Sequence, residues 1–304
     1  MIEQTELHLP EFGKKQRYQY NSLAQPFLKW AGGKRQLIST IKQYIPKSYN
    51  KYYEPFVGAG AVLFFLQPKD SIINDTNSEL INCYRVIRDN PTELLSLCNH
   101  HKKNNSKEYY YKLREQDRDS SFQKLSQVQR AARIIYLNKT CFNGLFRVNS
   151  SGQFNVPYGD YANPVIADPI VIKAVSAFLN QRSVKIREGD FEKAIESARK
   201  GDFIYFDPPY HPISDTSSFT GYNVNGFGKG EQERLKSVCD QLSDRGCYVL
   251  VSNSNAPLIH ELYEHDERYK IEEVRATRAI NAVGSKRGKI GELLIHNQYE
   301  CKST

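Results

Sequence analysis

Long hydrophobic runs are missing from this chain of 304 residues, none reaching the roughly 18 consecutive apolar residues that a membrane-crossing helix requires. The opening segment, Met1 to Tyr20, also lacks an apolar core of signal-peptide length, so the expected location is the cytoplasm, with no membrane partner. Cysteine is sparse and unpatterned. The six cysteines (Cys83, Cys98, Cys141, Cys239, Cys247 and Cys301) form no Cys-x-x-Cys pair, and no histidine stands where a zinc partner would. That pattern excludes a disulfide frame and a cysteine-based metal site; reduced thiols and no bound metal are expected.

What remains is an ordinary globular composition. Hydrophobic residues make up 39%, aromatics 12% and charged residues 25%, enough for a real core. The length allows one large domain or two smaller ones. The net charge is +8. An excess of that sign points to a polyanionic partner, with nucleic acid the leading candidate.

Residues 1–24 place Lys14, Lys15 and Arg17 beside Tyr18 and Tyr20 without periodicity. They read as a poorly ordered arm, either solvated or touching phosphate. In Pro26-Phe27-Leu28-Lys29-Trp30-Ala31-Gly32-Gly33-Lys34-Arg35, two glycines precede a helix expected over Gln36 to Tyr44. Such a loop lets backbone approach a ligand, and a helix start favours an anion that Lys34 could pair with. The alternative is a plain Gly-Gly turn with Trp30, the only tryptophan, in the core.

Tyr52-Tyr53-Glu54-Pro55-Phe56-Val57-Gly58-Ala59-Gly60-Ala61 then reads as strand, glycine turn and helix, the first unit of a Rossmann-like sheet. The third glycine of the dinucleotide fingerprint is absent, which argues against NAD. A tight Gly58-Ala59-Gly60 turn instead admits a nucleoside whose tail is an amino acid. A second strand, Ser71-Ile72-Ile73-Asn74-Asp75, ends in an acid suited to ribose hydroxyls; capping the helix expected over Ser78 to Arg88 is its other reading.

From Asn90 to Pro164 basic and polar residues dominate, with helical periodicity over Val128 to Leu137. The segment from Thr140 to Gly159 centres on Asn149-Ser150-Ser151-Gly152 between apolar residues, which predicts a β-hairpin. A basic hairpin of this size can enter a DNA major groove, where an arginine reads guanine; Arg147 could equally pair with a nearby acid. We read residues 90–164 as an insertion that recognises the partner. The α/β pattern resumes with Val184-Lys185-Ile186 and Gly189-Asp190-Phe191. Further on, residues from His211 to Lys229 resemble an active-site loop, and Ser285-Lys286-Arg287-Gly288-Lys289 forms a basic loop that either meets phosphate or is solvated.

The densest chemistry lies at Asp207-Pro208-Pro209-Tyr210, after the apolar run Phe203-Ile204-Tyr205-Phe206. The prolines stop the strand, because neither can donate to a ladder. A carboxylate, a free carbonyl at Pro208 and an aromatic ring therefore stand together at a strand's C-terminal edge, where open α/β sheets bind ligands. An exocyclic amine on a flat ring fits that trio: two acceptors take its two N–H donors while the ring stacks.

The order Lys-Trp-Ala-Gly-Gly-Lys, Phe-Val-Gly-Ala-Gly, recognition block, Asp-Pro-Pro-Tyr resembles that of the α-group N6-adenine DNA methyltransferases, and within them the Dam/DpnII methylase family. The resemblance spans about Pro26 to Tyr299. It implies a Rossmann-like, S-adenosylmethionine-dependent methyltransferase sheet (25–89 and 165–304) with an inserted, mainly helical target-recognition domain (90–164) carrying the hairpin. It implies methylation of adenine N6 in GATC duplex DNA by base flipping, with a restriction endonuclease of the same site as a candidate partner. By the same resemblance, Trp30, Lys34, Phe56, Gly58, Gly60, Asp75, Asp190, Phe191 and Asp207 would hold the cofactor, Lys34 near its carboxylate. Asp207, Pro208 and Tyr210 would bind the flipped adenine. Arg147, aided by Leu145 and Pro157, would read a guanine; Phe142 and Asn143 would fill the gap left by the adenine; Lys29 would meet the outer guanine.

No cysteine follows a proline, so the thiolate that a cytosine-C5 enzyme needs is absent. Two other readings share parts of the pattern: a methyltransferase of RNA or of a protein amide, and a non-catalytic DNA-binding protein that keeps the fold.

Overall fold

The computed structural model describes residues 20–30, 32–212, 227–277 and 289–301. Within them, seven strands form one sheet: β1 (Tyr52–Glu54), β2 (Asp70–Asp75), β3 (Ser183–Glu188), β4 (Phe203–Phe206), β5 (Tyr248–Ser254), β6 (Lys270–Thr277) and β7 (Lys289–His296). Their order is β3-β2-β1-β4-β5-β7-β6. The first five are mutually parallel, while β7 runs antiparallel between β5 and β6. The order reverses between β1 and β4, and the crevice beyond such a switch point is where this class of sheet holds its ligands.

β1 and β4 are buried at every position, as strands covered on both faces must be. Along β4 the side chains alternate between two cores. Phe203 and Tyr205 join one apolar cluster and Ile204 and Phe206 the other, following the period-two geometry of a strand. The first face is covered by α1 (Ile38–Ile41), α2 (Ala61–Leu66), α3 (Ser78–Asp89), α4 (Pro91–Lys103), α5 (Lys107–Glu115), α6 (Gln127–Thr140) and α7 (Pro169–Gln181). The second is covered by α8 (Phe191–Ile195), α9 (Lys229–Asp244) and α10 (Pro257–Tyr263).

The helices of the 90–164 segment do not enclose a core of their own. Leu94, Tyr110 and Ile135 belong to the same cluster as Ile73 and Leu80. α6 starts with a capping box in which Ser126 and Gln129 satisfy each other's backbone N–H groups. Inside it lies Arg133, 2% exposed, paired with Asp117 at 2.9 Å and donating to the carbonyls of Leu113 and Arg114. Asp117 also accepts from Arg118 and from the backbone N–H of Phe154, so a buried ion pair grips the returning limb of the hairpin. That hairpin is narrow: Val148 bridges Phe154, and Gly152 closes the turn at φ +75°.

Two expectations change. The helix read over Gln36 to Tyr44 is instead a 3-10 turn (Lys34–Leu37), the four residues of α1 and a second 3-10 turn (Lys42–Tyr44). β-branched Ile38, Thr40 and Ile41 weaken a continuous helix there, so no long helix start faces the glycine loop. The arm read as loose to residue 24 is fixed earlier: Asn21 exchanges hydrogen bonds with Gln67, and Ala24 is buried. Most of the loop expected from His211 to Lys229, and most of the basic loop Ser285–Lys289, lie outside the described residues. Among those described, no helix is long and apolar enough to cross a membrane, and no cluster of acids, histidines and cysteines could hold a metal.

Candidate active site

Parallel packing of β1 and β4 delivers two acids to one edge: Glu54 at the end of β1 and Asp207 just past β4. Lys34 closes on Asp207 from the glycine loop. Its ammonium lies 2.8 Å from Asp207 Oδ1, donates to the Gly32 carbonyl at 2.7 Å, and sits 4.7 Å from the centre of the Tyr210 ring. Lys34 was expected at a cofactor's carboxylate; its partners here are the Gly32 carbonyl, Asp207 and the Tyr210 ring. Burial pushes the Asp207 carboxyl up to about 6; Lys34 opposes the rise and the Glu292 charge adds to it.

The two prolines differ. The Pro209 carbonyl accepts from Gln232, which is itself held by Asn253. Among the described residues no hydrogen bond engages the Pro208 carbonyl, which leaves it free as an acceptor. The Tyr210 hydroxyl donates to Glu292 Oε2 at 2.7 Å.

Beside this cluster the glycine turn runs from Phe56 to Gly60. Gly58 and Gly60 are left-handed, at φ +48° and +73°, where any side chain is strained. A Cβ on Gly58 would lie 3.0 Å from the Trp30 indole, and one on Gly60 would lie 2.6 Å from the Tyr84 hydroxyl. Asp75 accepts from the N–H groups of Gly58 and Asn77. It is not the cap of α3, a role taken by Asn77. Burial raises its pKa against those backbone bonds. Phe56, Phe191 and Phe227 pack ring against ring, with centroids 5.2–6.0 Å apart. Asp190 caps α8 and pairs with Arg234, whose guanidinium lies 4.4 Å over the Phe191 ring. Of the residues expected at a cofactor, Gly58 thus meets Asp75 and Trp30, Phe56 packs on Phe191, Lys34 meets Asp207, and Asp190 is turned to an arginine.

Trp30 links the glycine turn to the hairpin by stacking on Phe146, with ring centres 4.9 Å apart. Lys29 is clamped through its backbone to Asn138 and sends its ammonium over the Tyr161 ring. On the hairpin side, Phe142 is 48% exposed, and its N–H donates to the Pro157 carbonyl. Asn143 is left-handed at φ +56°, and Leu145 is half-buried beside it. Arg147 is exposed and held by Asn155 through Nε and Nη2, rather than by an acid.

Several residues of this region were not anticipated. Glu54 is buried, accepts from the Tyr52 hydroxyl, and burial holds its carboxyl well above the usual range. A charged residue ending a buried strand was the available signal. Glu292 and Arg234 come from β7 and α9 and left no local signature, because only the tertiary fold brings them to the site.

Residues 30–280 match the D12 class N6 adenine-specific DNA methyltransferase family model. The chain is 52% identical to the type II methyltransferase M1.LlaDCHI of Lactococcus lactis subsp. cremoris, covering 90% of this chain and 95% of the relative. It is 43% identical to the type II methyltransferase M.MjaIII of Methanocaldococcus jannaschii, with 90% and 99% covered. It is 35% identical to the DNA adenine methylase of Escherichia coli K12, over 88% and 93%.

Proposed function

Because this chain belongs to the D12 class of N6 adenine-specific DNA methyltransferases, we propose that it methylates adenine in GATC duplex sites with S-adenosylmethionine as donor and Asp207, Pro208 and Tyr210 as catalytic residues. The observation that carries this is the meeting, at the β1/β4 switch point, of a carboxylate, a carbonyl unengaged among the described residues and an aromatic ring beside the glycine turn.

S-adenosylmethionine, when bound, supplies a methyl group on a sulfonium, an electrophile strong enough to need no covalent enzyme intermediate. The chemistry of these residues suits such a group. Phe56, Phe191 and Phe227 offer its purine an apolar, aromatic surface, and Gly58 and Gly60, without side chains beside Trp30, let backbone approach the amino-acid tail. The Asp75 carboxylate keeps lone pairs for ribose hydroxyls. Lys34 has three ammonium protons, and two are used on Gly32 and Asp207; the third is left for a carboxylate. Asp190 with Phe191 would lie near that purine.

The chain's own groups then act on adenine. Extruding the base costs a few kcal/mol of stacking, and Tyr210 returns about 1–3 kcal/mol by stacking on it. Asp207 and the Pro208 carbonyl accept the two N6 protons, which favours a pyramidal nitrogen with its lone pair free. The Asp207 charge stabilises the positive charge that develops on N6, which is electrostatic and positional catalysis. The proton leaves after N6 has become cationic, so a strong base is unnecessary.

On the DNA side, Asn155 presents the Arg147 guanidinium with its outer edge free for guanine O6 and N7. Leu145 and Pro157 aid its reading, Lys29 serves the outer guanine, and Phe142 with Asn143 fills the space the adenine vacates. The two type II relatives favour a role beside a restriction endonuclease that reads the same site. Labelled S-adenosylmethionine with paired duplexes, one holding GATC and one with its adenine replaced, tests the proposal. Label confined to the GATC duplex as N6-methyladenine supports it. Label in other sequences removes the Arg147 reading, and label in RNA alone replaces the substrate.

A further inference from the structure

We infer that Glu292, on β7 and 82 positions beyond Tyr210, is a positioning residue that sets the angle at which Tyr210 meets the target base. The inference rests on the reading that Tyr210 stacks on the flipped adenine. A tyrosine ring is held to the backbone by two rotatable bonds, and a stacking platform must have both fixed before the base arrives. Here the ring has two restraints. Its hydroxyl donates to Glu292 Oε2 at 2.7 Å, and one face carries the Lys34 ammonium 4.7 Å from the ring centre. On this reading the purine meets the opposite face.

Glu292 can bear that load because its own backbone is fixed. It pairs with Ser254 of β5 and with Val274 of β6, so those two strands hold it from both sides. The preceding Gly291 is tightly seated, since a Cβ there would lie 2.5 Å from the Glu273 carboxylate and 3.0 Å from the Asn255 amide. The phenol stays the donor: burial and the neighbouring Asp207 and Glu292 charges hold its pKa well above the ordinary value. The antiparallel strand between β5 and β6 thereby gains a function beyond completing the sheet.

The test is single-turnover methyl transfer at saturating S-adenosylmethionine, beside fluorescence of a duplex with 2-aminopurine at the target position, which dims when the extruded base stacks. We expect Tyr210→Phe and Glu292→Ala each to slow transfer about ten-fold, the scale of one hydrogen bond to a charged group, and to brighten the probe. The double variant should be no slower than either single one. Glu292→Gln, whose amide oxygen still accepts the phenol, should stay within about three-fold of the parent. Additive losses in the double variant overturn the inference. So does a Glu292→Ala enzyme with parental rate and fluorescence while Tyr210→Ala is inactive, an outcome that leaves the Tyr210 reading standing. Parental activity in Tyr210→Ala overturns both. If Glu292→Ala does not fold, Tyr210→Phe decides: a parental rate and probe signal there overturn the inference.

Discussion

Replacing Lys34 by methionine removes the cation beside Asp207 while keeping an unbranched chain of similar length. The pair is 2.8 Å apart, and the lysine is 4% exposed. An opposite charge at such range lowers a carboxyl pKa by about 1–3 units. With it gone, Asp207, which stands at about 6 in the parent, should titrate about 1–3 units higher. The sign follows from the role: the ionised carboxylate is the active form, so activity is present above its pKa and lost as pH falls through it. The parent should show an acid limb near 6, and the variant a limb displaced toward alkaline pH by about 1–3 units. At pH 7 the variant should be slower by about two- to a hundred-fold, since each unit below the pKa leaves about ten-fold less carboxylate. Much of that loss should return by about pH 9.5. Single-turnover rates at saturating cofactor and duplex, measured across that range, give the limb directly. A variant slowed equally at every pH, with its limb where the parent's is, refutes the idea that Lys34 tunes Asp207.

Other expectations rest on the same geometry. Arg147→Ala should lose about 1–3 kcal/mol of discrimination between GATC and sites altered at the guanine it reads, seen as a fall in the kcat/KM ratio of the two duplexes. Asp117→Asn strands the buried Arg133 without its counter-charge, so thermal or urea unfolding should show a loss of about 3–5 kcal/mol. The double variant Lys34→Met with Asp207→Asn should be inactive yet melt no lower than the parent at pH 8, because exchanging a buried ion pair for neutral groups is often neutral or stabilising.

Much of the fold was legible because its signals are local. Fully apolar strands bounded by turn residues, such as Phe203–Phe206, announce a parallel sheet, and the glycines of Gly58-Ala59-Gly60 announce a turn that only left-handed backbone can make. Asn149 to Gly152 signalled the hairpin by turn chemistry alone. The broken helix after Gly33 was not legible, because its apolar spacing is helical while its β-branched residues oppose a long helix. Within the site, Asp207, Pro208 and Tyr210 are contiguous in sequence and could be read together. Lys34 on Asp207, Glu292 on Tyr210 and Arg234 on Asp190 join residues 44 to 173 positions apart, a distance over which sequence pattern carries no geometry. The Asp117–Arg133 pair was hidden for another reason: among so many basic residues, a buried arginine looks like a surface one.

The account places rate in the Asp207 charge and binding in the surfaces around it. Its most direct test is Asp207→Asn, an isosteric change, with cofactor and a GATC duplex carried together into single turnover. Duplex affinity and 2-aminopurine extrusion should persist while methyl transfer falls by about a hundred-fold or more at every pH. Transfer at the parental rate, with the base extruded as before, would contradict it.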